Sequence, residues 1–298
     1  MDGLKQVVLA GGTGLVGRHL RAALAAAGTR VTLLTRNPAA TPGAVGWDAL
    51  PGVLEGADAV INLAGEGIAD QRWSPDRKRA LIDSRVDSTR RITAALAQAA
   101  APPPVLVNAS ATGFYGNRDD RPVDESAPSG TGFLAEVCRA WEAAADTAPA
   151  GVRVVKLRIG VVLARDGGAL SKMALPVRLF QGAKLGDGRQ GLSWIHIDDL
   201  VAMVLEAARN PAWAGAVNAV APAPLSNEAF TRALARTLHR PVLPVPAFLT
   251  RAAVKLLVGE MADEMLLGGV HVVPARAQAL GFTFRYPHVD AALPGLLT

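Results

Sequence analysis

The chain has 298 residues, enough for one large domain or two lobes around a shared core at roughly 100 to 200 residues per domain. Half of the residues are hydrophobic, 19% are charged and the mean hydropathy is +0.23, which excludes a disordered chain, while 30 glycines and 20 prolines fall far short of a collagen-like or low-complexity composition. The 31 basic and 26 acidic side chains give a net charge of +5 and a pI near 9.8, which suits an anionic ligand without choosing among phosphate, nucleotide and nucleic acid.

From the N-terminus, short β-branched runs alternate with Ala- and Leu-rich helical stretches. This is the pattern of an α/β protein, a doubly wound parallel sheet of the Rossmann type. Strands are predicted over 6–10, 31–35, 59–63, 105–108 and 153–157, with helices near 15–27, 75–100 and 133–146. Lys5 leads straight into the first strand, so no signal-peptide core is expected. In the basic stretch 72–91, Arg79, Asp83, Asp87 and Arg91 recur every four residues and read as a ladder of solvated ion pairs rather than a nucleic-acid face. Pro102, Pro103 and Pro104 end that helix and launch the next strand. Together with Gln98, Asn108 and Ser110 they exclude a membrane-spanning helix from the uncharged stretch 92–117.

After Leu163 the pattern loosens through Asp166-Gly167-Gly168 and 182–191, then Trp194-Ile195-His196-Ile197 enters a helix for which Asp198 is the expected cap. Beyond Pro222, helices are predicted near 227–238, 247–257 and 274–279, with no strong strand. The expected division is a dinucleotide-binding unit of 1–163 with about 192–220, and a smaller, mainly helical substrate lobe of about 164–191 with 221–298. The single cysteine, Cys138, excludes an internal disulfide and reads as buried filler, which makes a reducing cytoplasm the default compartment. The histidines are scattered and predict no metal site.

The strongest motif is Gly11-Gly12-Thr13-Gly14-Leu15-Val16-Gly17, set between the first strand and the first helix. Glycines there let a pyrophosphate approach the backbone while free N–H groups and the positive helix end meet its charge; a Cβ at Gly11 or Gly14 is expected to obstruct it. The competing reading is an ordinary tight βα turn. The second strand ends in Thr35-Arg36-Asn37 with no acid to accept from a ribose 2′-hydroxyl. Arg36 offers a guanidinium fork suited to a 2′-phosphate, so NADP(H) is favoured over NAD(H), against the alternative that Arg36 is a plain surface arginine. A third block, from Asp58 to Leu63-Ala64-Gly65, is a buried strand ending in small residues across which adenine or ribose can lie.

In this order and spacing the three blocks make the chain resemble the extended and atypical short-chain dehydrogenase/reductases, the NAD-dependent epimerase/dehydratase superfamily. Further blocks, Asn62 to Glu66, Arg72-Trp73, Ser84-Arg85, Ser110 to Gly116, Arg158 to Leu163 and Trp194 to Asp199, resemble its branch labelled sugar-nucleotide epimerase or cell-division-inhibitor-like, as does a C-terminal module carrying Pro274 to Arg276 and Gly281 to Pro287. The resemblance covers nearly the whole chain. It implies cofactor contacts at the glycine turn, Thr35, Arg36, Leu63, Ala64, Gly65, Arg85, Gly160 and Val161, and substrate contacts at Arg189 and Gln190, with a flexible loop as the other reading of that pair.

Active members of the superfamily use a Tyr-x-x-x-Lys pair on a helix, with a Ser or Thr on the preceding strand, for acid/base work. The matching stretch here begins Phe133-Leu134-Ala135-Glu136-Val137, so both members of the pair are absent. Three residues are candidates to replace them: Ser110 and Tyr115, just beyond the strand at 105–108, and Glu66 as a general base after the Gly65 turn, with local packing and substrate contact as the other reading of Tyr115 and a solvated or capping loop residue as that of Glu66. Arg85 is a candidate for the missing positive charge, with a surface ion pair as its alternative. Two functions follow. One is an NADP(H)-dependent oxidoreductase or epimerase-like enzyme acting on a small carbonyl, hydroxyl or nucleotide-sugar compound. The other is a non-catalytic NADP(H)-binding sensor read by a partner protein. Neither nucleic acid nor membrane is an expected partner, and monomer and homodimer both stay open.

Overall fold

The computed structural model describes residues 3–297, so Met1, Asp2 and Thr298 of the two expected units lie outside the described residues. In chain order the first elements are β1 (Gln6–Ala10), α1 (Leu15–Ala26), β2 (Arg30–Leu34), β3 (Ala44–Val45), α2 (Leu50–Leu54), β4 (Ala59–Asn62), α3 (Pro75–Gln98) and β5 (Val105–Ala111). There follow α4 (Phe133–Ala145), β6 (Arg153–Ile159), β7 (Val161–Ala164), β8 (Gly167–Gly168), α5 (Ala169–Arg178), β9 (Gly191–Leu192), β10 (Trp194–His196), α6 (Ile197–Arg209) and β11 (Gly215–Ala219). The C-terminal part contains β12 (Leu225–Ser226), α7 (Asn227–Thr237), α8 (Ala247–Val258), a π-helical turn (Ala262–Leu266), α9 (Ala275–Ala279) and α10 (Val289–Leu297).

Seven strands form a parallel sheet in the order β11-β6-β5-β4-β1-β2-β3. The central strands are apolar on both faces because helices cover both. Val7, Leu9, Ile61, Val107 and Leu157 pack with Leu20 and Leu24 of α1 and Leu200 and Val204 of α6. Val8, Ala10, Val60 and Leu106 face Leu50 and Leu54 of α2 and Ile92 and Leu96 of α3. A second cluster joins α5, α7 and α10 through Leu170, Ala174, Phe230, Leu234 and Leu293. Two small sheets, β10-β7-β8 and β12-β9, lie outside the main sheet. No helix among the described residues is long and apolar enough to cross a membrane.

Local chemistry fixes the long α3: Ser74 accepts the Arg77 N–H at 3.1 Å and Pro75 takes the first helical position, where no N–H is needed. Several boundaries move from expectation. Strand β5 continues to Ala111 and β6 to Ile159 because the two stay paired in register from Val105↔Arg153 to Ala111↔Ile159. The segment after Pro222 contains a short strand, β12, which pairs antiparallel with β9. The helices α5 and α10 escaped the pattern, since each carries an internal proline, Pro176 and Pro294. The cap of α6 is His196, whose Nδ1 accepts the Asp198 N–H at 3.1 Å, and not Asp198 itself. Stacking on Tyr286 at 3.8 Å holds the imidazole there, and burial lowers its pKa.

Candidate cofactor and substrate site

The turn between β1 and α1 opens onto a groove of about 530 Å3 at the C-terminal edge of the sheet, the place where open α/β sheets bind ligands. Gly11 has φ +78°, and a Cβ there would come within 2.5 Å of the Leu63 carbonyl, so neither the backbone nor the space tolerates another residue. Gly17 is pressed against the Gly11 carbonyl and Gly12, and Gly12 sits on the Leu33 side chain. Gly14 differs: a Cβ would meet no protein atom closer than 3.5 Å, so the protein leaves open the space that the sequence reserves. At Gly11, which also lines the groove, the Leu63 backbone by itself already excludes a side chain.

No side chain caps Gly14 and no acid lies in the first turn of α1. The N–H groups that begin a helix have no partner within it, so an anion above Gly14 meets unpaired donors and the positive helix end. Thr13 lines this part of the groove, whereas the side chains of Leu15 and Val16 pack against the core. The cradle fits a dinucleotide pyrophosphate.

The groove is also lined by Leu63 and Ala64, beside Gly11, and by Thr35, Arg36, Gly65 and Glu66. Asn62 braces this loop, its Oδ1 accepting the Ala64 N–H at 3.1 Å while its Nδ2 donates to Asn108 and Thr89. The Arg36 side chain is 78% exposed, and its Nη1 stands 3.5 Å from Glu66 Oε1. The other Glu66 oxygen is paired with Arg77. Both Glu66 oxygens thus face guanidinium groups, which opposes the general-base assignment and places Glu66 at the cofactor groove.

Arg85 is no surface ion-pair partner. Its guanidinium donates to the Glu66 carbonyl at 2.9 Å and to the Leu81 carbonyl at 2.9 Å, and lies over the Trp141 ring at 5.2 Å. It stands behind Gly65 and shapes the loop from outside the groove lining.

The α3 ladder is also corrected. Among the described residues Arg79 pairs with Asp76, and neither Asp83 nor Asp87 has an ion-pair partner. Asp83, Ser84, Asp87, Ser88 and Arg91 line the groove instead. Helical spacing identified a common face, but that face borders the ligand space.

Ser110 and Tyr115 are corrected as catalytic candidates. Ser110 is 2% exposed and donates to Glu142 at 2.8 Å; Tyr115 is 0% exposed and donates to Asn218 Oδ1 at 2.7 Å. Between them Arg158 binds both Glu142 oxygens, at 2.8 and 2.9 Å, and donates to the Tyr115 hydroxyl at 3.0 Å. Burial raises the Tyr115 pKa against the opposing pull of Arg158. This closed network ties α4 to β5, β6 and β11 and contributes no group to the groove lining.

Where the superfamily places tyrosine and lysine, Phe133 and Val137 are buried with Leu81, Ile68 and Trp73. Phe133 meets Trp73 edge-to-face at 4.8 Å, and Lys78 Nζ stands 5.1 Å from the Phe133 ring centre. The N–H groups of Phe133 and Leu134 donate to the Glu264 carboxylate at 2.8 Å each, a cap that no local signal in the sequence announces. Cys138, one turn along, is buried, which pushes its thiol up to about 11.

The remaining assignments separate. Gly160 serves packing, since a Cβ would come within 2.6 Å of the Ser193 carbonyl, and Val161 donates its N–H to that same oxygen at 2.8 Å. Neither lines the groove. Arg189 is an exposed partner of Asp120, whereas Gln190 turns inward and donates to the carbonyls of Leu185 and Leu266 at 3.0 and 2.7 Å. Among the described residues no group of three or more His, Cys, Asp or Glu side chains could hold a metal ion.

Comparison with known proteins agrees with this architecture. Residues 7–219 match the NAD dependent epimerase/dehydratase family, and residues 245–294 match a domain of unknown function (DUF1731). Epimerase family protein Mb2239 of Mycobacterium bovis is 42% identical over 295 residues, covering 96% of each chain. The crystal structure of human epimerase family protein SDR39U1 with NADPH superposes with a TM-score of 0.91 at 35% identity, covering 98% of both chains. A nucleoside-diphosphate sugar epimerase from Corynebacterium glutamicum superposes with a TM-score of 0.81 at 36% identity over 99% of this chain and 58% of that one.

Proposed function

This chain belongs to the NAD-dependent epimerase/dehydratase family, and from that premise we propose that it is an NADP(H)-binding oxidoreductase or epimerase-like enzyme. Its substrate is a small carbonyl, hydroxyl or nucleotide-sugar compound. The observation that carries the reading is Arg36, a guanidinium at the end of β2 beside a groove whose other end is the glycine cradle. The human relative crystallised with NADPH and the corynebacterial relative described as a sugar epimerase support it. We assign the dinucleotide to residues 1–163 with about 192–220 and the substrate to about 164–191 with 221–298. The lone Cys138 is consistent with a reducing cytoplasm.

A bound nicotinamide supplies hydride transfer. The chain itself contributes binding and orientation. The first turn of α1 meets the pyrophosphate, Arg36 meets the 2′-phosphate, and Arg85 fixes the loop at Gly65 and Glu66 by its bond to the Glu66 carbonyl. Phe133 and Trp73 form an apolar wall near the start of α4. A second reading, a non-catalytic NADP(H) sensor, is favoured by that same apolar filling and by the burial of Ser110 and Tyr115. Steady turnover of a carbonyl or nucleotide-sugar substrate by the NADP-loaded protein would exclude the sensor.

The test of cofactor binding is calorimetric titration of the cofactor-stripped protein with NADPH and NADH, repeated on Arg36→Ala. The expected result is NADPH binding that weakens about 10- to 100-fold in the variant, the effect of removing a charge-assisted bidentate contact, with little change for NADH. Failure of both nucleotides to bind would overturn the proposal.

A further inference from the structure

We infer that Glu66 and Arg36 form an opposed pair that reads the substituent on the adenosine ribose, and that Glu66 lets the groove accept NADH beside NADPH. The inference rests on the dinucleotide reading of the groove. The end of β2 lacks the acid that would bind a 2′-hydroxyl, since it reads Thr35-Arg36-Asn37. A carboxylate nevertheless reaches the tip of Arg36 from elsewhere. Glu66 follows β4, on the other side of β1 from β2 in the sheet order, and its Oε1 stands 3.5 Å from Arg36 Nη1. Two side chains from opposite walls thus meet over the ligand space, and any group that Arg36 holds there lies beside a negative charge.

The two members differ in freedom. Arg36 is 78% exposed and has Glu66 as its ion-pair partner. Glu66 is fixed at three further points: Arg77 pairs with its other oxygen, its N–H donates to Ser84 Oγ at 3.2 Å, and its carbonyl accepts from Arg85 at 2.9 Å. Arg77 is itself tied to the Gly67 carbonyl at 2.7 Å. The carboxylate is therefore a standing charge, and the guanidinium is the part that moves.

A 2′-phosphate is an acceptor with about −2 charge. It binds by drawing Arg36 away from Glu66 and then sits near a like charge, an exchange of partners that reduces what Arg36 alone would give. A 2′-hydroxyl has no charge for Arg36, but it is a donor, and Glu66 is an acceptor. One residue thus favours each cofactor, and their balance sets the preference.

The experiment measures Kd for NADPH and NADH on the full chain and on Glu66→Gln, which keeps the side-chain shape and an acceptor for Arg77. The NADH-to-NADPH ratio of Kd values is expected to rise about three- to tenfold, with NADPH tightening and NADH weakening. Glu66→Asp, which keeps the charge but withdraws it by one methylene, should move the ratio the same way by a smaller factor. It also supplies the measurement should the Gln variant melt early. A ratio within about twofold of wild type in a folded variant that still binds both nucleotides would overturn this inference and leave the dinucleotide reading standing. Failure of the wild-type chain to bind either nucleotide would overturn both.

Discussion

At one end of the groove, beside β2 and α3, Arg36, Asp83, Asp87, Ser88 and Arg91 surround an open space. At the start of α4, where active members of the superfamily carry an acid/base pair, Phe133, Val137 and Leu81 are buried and half-buried Ile68 and Trp73 pack against them. Both regions are edged by α3, one by the face carrying Asp83 and Asp87, the other by the face carrying Leu81. The difference teaches that one molecule can present an open groove lined by polar groups beside the glycine turn while positions 133 and 137 belong to an apolar cluster. Positions 133 and 137 therefore offer no proton donor.

The largest expected effect comes from forcing the family's lysine back into that core. Val137→Lys places an ammonium among apolar side chains and should lower unfolding free energy by about 3–5 kcal/mol, the loss caused by an uncompensated buried charge. Denaturant titration checks it, and a loss under about 1 kcal/mol would mean the cluster opens to water. Next, the glycine turn should show two separable behaviours. Gly17→Ala drives a methyl into the Gly11 carbonyl and is expected to destabilise by about 1–3 kcal/mol. Gly14→Ala meets nothing closer than 3.5 Å, so it should leave the melting temperature unchanged while weakening nucleotide binding. Equal destabilisation by both variants would show that the open space above Gly14 is not reserved for a ligand.

The smallest effect is in the thiol. Because Cys138 is held up to about 11, alkylation by iodoacetamide should stay slow at pH 8 and accelerate only on unfolding. A folded-state pKa above the unfolded value means that the neutral thiol is the form the fold prefers. Its contribution is complete below about pH 8.5 and is lost as pH rises toward 11. Rapid labelling of the native protein at pH 8 would contradict the burial.

The binding end was legible in the sequence because it is local. Strand, glycine turn and helix occupy consecutive residues, and Arg36 follows directly from the next strand. The rest depended on distance along the chain. Ser110 and Tyr115 looked like hydroxyls at a strand edge, but Glu142, Arg158 and Asn218 come from later elements and bury them. The four-residue spacing from Arg79 to Arg91 showed which side chains share a helix face, not what that face meets. Composition rules chose Asp198 as a cap, whereas the preceding His196, held by Tyr286, was in the geometric position.

The Glu264 carboxylate at the start of α4 also bears on the order in which the molecule is made. The helix end it caps is separated from it by 131 residues, so a chain emerging from the ribosome carries α4 with two bare N–H groups while that stretch is being added. At about 5–20 residues per second this lasts about 7 to 26 s. The segment matched to a domain of unknown function thus supplies the cap of a helix that was synthesised well before it.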